Sequence, residues 1–330
     1  MRLPFPLIYS DQYFLPIGAH VFPAQKYRMI HDRLLSSGEA DADDFISPEA
    51  ASDDDVRLVH DAGYVDRLLN GEITPQEELQ MEVPYSPELV KAFWLSAGGS
   101  ILASERALRT GICVNIGGGF HHAHPDHGEG FCMIHDVAIA IRKMQKLRKI
   151  QRAMTVDCDV HDGNGTAAIF PPKQLSGHPL PSISAAQVQA KIVDPVVADG
   201  EDVFTISLHQ ANNYPAYKPP SSIDVNLPDG VGDDQYLAWL DQALSSGLRS
   251  FSPDLLCYIA GADPYIEDQL GGLALTIDGL KRRDALVFEV AKARGIPVMV
   301  TYAGGYARDV QDTVTIHVNT VIAAKEVWRN

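Results

Sequence analysis

Acids, imidazoles and a phenol gather at four places in this 330-residue chain, each directly after a short apolar run. Gly117-Gly118-Gly119-Phe120-His121-His122 follows Ile112 to Ile116, and Asp157-Cys158-Asp159-Val160-His161 follows Ala153 to Val156. Gly261-Ala262-Asp263 follows Leu255 to Ala260, and Gly304-Gly305-Tyr306 follows Val298 to Tyr302. Side chains alternate with period two along a strand, so Asp159 and His161 point to the same side and can share one ligand. Adding Asp263 makes two carboxylates and an imidazole, a donor set that leaves coordination positions open for water and substrate, as a catalytic zinc site requires. Taken alone, an Asp-x-His step is also compatible with a buried structural pair. The convergence of four segments is what points to a metal.

The glycines before His121 and His122 let the backbone pass close to a ligand and turn both rings inward. A histidine there, with a reference pKa of about 6.5, suits general-base work. Tyr306 can bring a phenolic O–H to an oxyanion developing on a scissile carbonyl. His124 and His127 read as ordinary loop histidines.

Positioning these groups calls for strands that end at a common rim. The apolar runs, with Val203 to Leu208 as a fifth, alternate with amphipathic stretches, which is the pattern of an α/β domain whose central, mostly parallel sheet is flanked by helices on both faces. Ligands in such sheets bind outside the carboxyl ends of the strands. Helices are legible over Pro87 to Leu108, with Ser86 as N-cap, over Ile277 to Arg294 after Thr276, and over 135–149, which grows basic toward its end. No repeat or linker divides the chain, so 1–330 reads as one domain, with 171–200, rich in proline, serine and alanine, as a loop insertion.

Composition narrows the function classes. Forty-three acidic against 27 basic residues give a formal net charge of −16, which argues against direct nucleic-acid binding and suits a cationic substrate or basic peptide. The four cysteines stand singly, so neither a disulfide framework nor a thiolate zinc site is indicated, and a reducing cytoplasm is expected. No apolar run reaches the roughly 18 to 20 residues that span a bilayer, and the N-terminal residues lack a signal-peptide layout.

Taken in order, GGGFHHAH, DCDVHDGNGT, SLHQ, GADP and AGGY closely resemble the histone deacetylase and acetylpolyamine amidohydrolase superfamily, on the arginase/deacetylase fold. Gly130-Phe131-Cys132 and Asp268-Gln269-Leu270-Gly271-Gly272-Leu273 look most like the class IV and bacterial deacetylase-like members. The resemblance implies a zinc-dependent amide hydrolase acting on acyl-lysine in a protein or peptide, or on an acylated polyamine. It implies that Asp159, His161 and Asp263 hold zinc, that His122 is general base and acid, that His121 positions and polarises water, and that Tyr306 binds the substrate carbonyl. Asp157 and Asn164 would partner His121 and His122; Asn at 164, where some relatives carry Asp, would leave His122 less readily protonated. Phe131, Leu270, Tyr214, Gly304 and Gly305 would shape the acyl channel. A buried monovalent cation, usually potassium, is implied at carbonyls of Asp157, Asp159, His161 and Leu208 with the side chains of Asp157 and Ser207. Two other readings stay open: a di-manganese ureohydrolase, against which Val160 and Asn164 stand where further acids are expected, and a catalytically silent acyl-lysine binding module.

Overall fold

The computed structural model describes residues 3–172 and 202–329. Beyond Pro172, the expected 171–200 insertion lies outside the described residues. Among the described residues, eight strands form one sheet: β1 (Leu7–Ile8), β2 (Phe45–Ile46), β3 (Ile112–Asn115), β4 (Ala153–Asp157), β5 (Val203–Gln210), β6 (Ile223–Leu227), β7 (Leu255–Ile259) and β8 (Val298–Thr301). Their order is β2-β1-β3-β8-β7-β4-β5-β6, and every pairing is parallel. All carboxyl ends therefore open on one edge.

The pleat sends alternate residues into two apolar cores, one per face. Cys113, Cys257, Ile259 and Met299 pack with Ala103, Ala107, Val137 and Ile141 of the Pro87–Thr110 and Asp136–Lys146 helices. Ile112, Val114, Leu256, Tyr258, Val298 and Val300 join the core that holds Val287, Phe288, Val314 and Val321 of the Ile277–Ala293 and Val310–Trp328 helices. Covering both faces explains why the central strands read as continuous apolar runs. Each fully buried large aliphatic or aromatic side chain contributes about 1.5–3 kcal/mol of transfer free energy.

The three expected helices are present and capped by side chains. Ser86 accepts from the Leu89 amide, Thr276 from that of Gly279, and His135 from that of Ala138. Strands β1, β2 and β6 go beyond the five expected from the sequence. The first two span only two residues each, too few for any periodicity, and β6 is an edge strand whose Ile-Asp-Val-Asn-Leu alternation follows a proline-containing loop. Among the described residues, no helix is long and apolar enough to cross a membrane.

Candidate active site

Sheet order brings the four chemical segments together. Strands β3, β8, β7 and β4 are consecutive neighbours, so the residues that follow them meet at one rim. Backbone geometry then aims them. Gly118 and Gly119 adopt φ of 72° and 80°, and a Cβ on either would lie 2.2 Å from Asp136 Oδ2 or the Tyr302 carbonyl, so only glycine fits there. Asp136, fully buried, accepts from the amides of Gly119 and Phe120 and from the Ser100 hydroxyl. The two histidines that follow are thereby set on a fixed turn.

Asp159, His161 and Asp263 converge, all buried, with donor atoms within 4.8 Å of one another. His161 Nδ1 lies 3.0 Å from Asp159 Oδ1 and 3.3 Å from Asp263 Oδ2. The remaining carboxylate oxygens are held by backbone: Asp159 Oδ2 accepts from the Gly304 amide at 2.8 Å and Asp263 Oδ1 from that of Val160 at 2.8 Å. Asp263 Oδ2 is buried without a hydrogen-bond partner. Burial and the neighbouring Asp159 charge push the Asp263 carboxyl up to about 7. An orphaned buried oxygen, two like charges and an imidazole nitrogen facing one point fit a divalent cation, and nitrogen among the donors favours zinc over magnesium or calcium.

Above this trio stand the paired histidines, ring centroids 4.1 Å apart. His121 Nδ1 lies 2.7 Å from Asp157 Oδ2, and His122 Nδ1 lies 2.7 Å from Asn164 Oδ1. The two rings are nonetheless driven in opposite directions, because the neutral Asn164 supports charge on His122 too weakly to offset its surroundings. Burial disfavours charge on His121, yet Asp157 and Asp159 outweigh it and raise its pKa to about 9. On His122, burial and the positive His121 and His161 act together and hold the ring well below the ordinary range. One imidazole is thus kept cationic and the other neutral.

The aromatic groups close the site. Tyr306 packs its ring 6.2 Å from that of His161 and 6.0 Å from Phe131, and burial beside Asp263 and Asp159 keeps its phenol protonated. Phe131, at φ 68°, lines a small cavity with Phe22, His121, His122, Gly304 and Tyr306. Tyr214 stands edge-on to His122 at 5.0 Å between centroids. Tyr214, Leu270 and Gly305 are not among the residues lining that cavity; Leu270 sits on the adjacent turn, where its carbonyl accepts from Asn213. Strand register places Asp157 opposite Ser207, with Leu208 next to it and buried. Ser207 Oγ lies 2.9 Å from His209 Nδ1, and both Asp162 carboxylate oxygens nearby are buried without hydrogen bonds.

Several participants were given no role from the sequence, where Lys26 stands only within a stretch in keeping with the family resemblance and His124 and His127 read as loop residues. Lys26 is fully buried, and its ammonium donates to the carbonyls of Ala303 and Gly304, with burial lowering its pKa to about 8 against the pull of Asp263 and Asp159. Arg283, equally buried, donates to the carbonyls of Cys158 and Gly261 and so ties β4's end to β7's. His124 and His127 are half-buried and stacked at 4.4 Å rather than free on a loop, and both face Glu129. Contacts made across such distances in the chain match no local pattern, so only the fold could show what these residues touch.

Residues 20–321 match the histone deacetylase domain family. The chain is 36% identical over 325 residues to an uncharacterized protein of Picosynechococcus, covering 98% of this chain and 99% of that one. It is 30% identical over 325 residues to histone deacetylase 2 of Arabidopsis thaliana, covering 93% and 77%. Among solved structures, an HDAC homolog complexed with SAHA superposes with a TM-score of 0.76 at 22% identity, covering 100% of this chain and 85% of the other. An HDAC homolog from Aquifex aeolicus superposes with a TM-score of 0.73 at 22% identity, covering 98% and 88%. These last two likenesses concern the fold.

Proposed function

The chain belongs to the histone deacetylase family and is a hydrolase of amide bonds, and on that premise we propose that it is zinc-dependent and removes acetyl or other acyl groups from acyl-lysine in proteins or peptides. Asp159, His161 and Asp263 would hold the zinc, which when bound supplies Lewis acidity toward water and the scissile carbonyl. The chain's own residues divide the remaining work.

Asn164 Oδ1 can only accept, so the His122 ring carries its proton on Nδ1 and leaves Nε2 as the base. Nε2 takes the proton of the attacking water. His121, kept cationic by Asp157, orients that water and supports the negative charge that develops. Tyr306 donates its O–H to the oxyanion. As the C–N bond breaks, the low basicity of His122 makes its new proton easy to deliver to the leaving amine. Unpartnered buried carboxylate oxygens on Asp162 and Asp224, clustered with His209 next to Ser207, support a potassium ion at the carbonyls implied beside Ser207 and Leu208.

The observation that carries this reading is that paired histidines and a phenol share one cavity with Phe131 while the Asp-His-Asp trio stands directly against them, Asp159 Oδ1 3.7 Å from His121 Nε2 and the His161 ring 6.2 Å from that of Tyr306. Its test is turnover by the zinc-loaded protein of a panel of acyl-lysine peptides and acylpolyamines of graded chain length. Hydrolysis of the peptides, lost in His122→Ala, is the expected result. Turnover of acylpolyamines alone would reassign the substrate, and inactivity toward both would refute the reading.

A further inference from the structure

Behind Asn164 lies a carboxylate that the mechanism has not used. Asn164 Nδ2 donates to Glu129 Oε1 at 2.8 Å, while its Oδ1 faces His122 Nδ1. We propose that Glu129 is a positioning residue that selects the catalytically competent tautomer of His122 by fixing which way the Asn164 amide faces. This inference rests on the reading of His122 as the base.

A side-chain amide has two unlike ends, a carbonyl that accepts and an NH2 that donates, and a half-turn about its last bond exchanges them. Facing His122 with Oδ1, it must receive the Nδ1 proton, and Nε2 keeps its lone pair. Facing His122 with the NH2, it would take Nδ1 as acceptor and force the proton onto Nε2, where it blocks base catalysis. An ionised carboxylate accepts only, so Glu129 bonds the NH2 end and repels the carbonyl end. Its preference therefore passes through the amide to the imidazole, two hydrogen bonds away.

The surroundings of Glu129 are built to keep it ionised and still. Oε1 also accepts from the Tyr214 hydroxyl at 3.0 Å, and Oε2 lies 3.4 Å from His127 Nε2 and 3.8 Å from His124 Nε2. Partial burial opposes the charge, but His127, Tyr214 and Asn164 outweigh it and hold the carboxyl down at about 2. His124 Nε2, 3.2 Å from Asn164 Nδ2, offers the amide's second hydrogen an acceptor when that nitrogen is unprotonated. The stack of His124 on His127, unexplained as a loop feature, then has a use as the mount of this carboxylate. An aspartate in place of Asn164 would present an acceptor whichever way it turned. The need for Glu129 is thus a consequence of asparagine at that position.

That dependence gives the test. Glu129→Leu removes the acceptor at similar size, and the change is made in the natural chain and in an Asn164→Asp background. In the natural chain, kcat is expected to fall about ten- to a hundredfold at unchanged zinc content, the range for losing an outer hydrogen-bond partner. In the Asn164→Asp background, where two carboxylates would face each other at this contact, the same change should cost clearly less than in the natural chain, or raise kcat by relieving their repulsion. Equal losses in both backgrounds, or no loss in the natural chain, would overturn the proposal. Glu129→Gln, which keeps the size and one acceptor, should shift kcat in the same direction by less and serves if the leucine variant does not fold. In 15N-histidine NMR, with His122 assigned by difference from His122→Ala, the natural chain should show protonated Nδ1 and bare Nε2, and Glu129→Leu a mixture; identical His122 signals would also overturn it. Full turnover in His122→Ala would bring down the base assignment and this proposal together, whereas a dead His122→Ala beside an unaffected Glu129→Leu would remove only the role of Glu129.

Discussion

The backbone N–H of Tyr306 donates to Asp268 Oδ2 at 2.7 Å. Oδ1 of the same carboxylate accepts from the amides of Leu270 and Gly271, so one buried side chain joins the turn bearing the phenol to the turn beside the cavity. Because the hydroxyl is aimed by this scaffold, Tyr306→Phe should remove one oxyanion donor and nothing else. Turnover is expected to fall on the order of 10² to 10³-fold with zinc content unchanged. Unaltered turnover in that variant would remove the phenol from the reaction.

Metal removal should abolish activity, and added zinc should restore it. Asp263→Ala deletes the one ligand carboxylate oxygen that has no hydrogen bond, so zinc measured by elemental analysis should fall well below one ion per chain. Binding should also raise the melting temperature of the natural chain, since zinc at one hundred times its Kd adds about 2.7 kcal/mol to stability. A melting temperature indifferent to zinc would count against a folded-state site.

Gly304 offers a probe that touches no ligand chemically. A Cβ there would lie 1.8 Å from Asp263 Oδ2 and 2.8 Å from Asp159 Oδ2. Gly304→Ala should displace both carboxylates and weaken zinc about tenfold or more, as disturbed ligand orientation does. Competition with a chromophoric chelator reads the affinity directly; an unchanged constant would mean the loop yields freely.

Histidines buried in neutral form should each lower stability toward acid. Burial lowers His60 to about 4, His209 to about 3 and His135 well below its ordinary value. At these three sites the unfolded chain therefore binds more protons than the folded one once pH drops below about 6.5, and their contribution to stability falls from there down toward the folded values. Each such histidine contributes a slope approaching about 1.4 kcal/mol per pH unit in that window. Denaturant titrations at pH 7, 6, 5 and 4 on the natural chain and on His60→Gln should show the natural chain losing more stability toward acid; parallel curves would contradict neutral burial of His60.

How much of this was legible in the sequence follows from where each signal resides. The Asp159-x-His161 step, the glycines ahead of His121 and Tyr306, and the apolar runs that end there are local patterns, governed by pleat alternation and by the backbone freedom of glycine. They marked the strand ends, the parallel α/β architecture and the residues that meet at the rim. The Asn164 partner of His122 came from resemblance and is found hydrogen-bonded as that resemblance implies. What the local patterns did not hold is adjacency. That β3, β8, β7 and β4 stand side by side is a property of the whole sheet, fixed by which apolar faces the helices bury together.

The same limit explains the residues whose roles the sequence did not show. Lys26 reaches carbonyls 277 and 278 positions away, and Arg283 links two strand ends from a distant helix. Glu129 becomes informative only once it is seen against Asn164. Sequence determined which side chains can carry acid, base and metal chemistry, because residue type and strand period decide that within a few positions. Tertiary structure decided their protonation states, because in a low-dielectric interior a charge is set by whichever partner stands within a few ångströms, and chain order does not record distance.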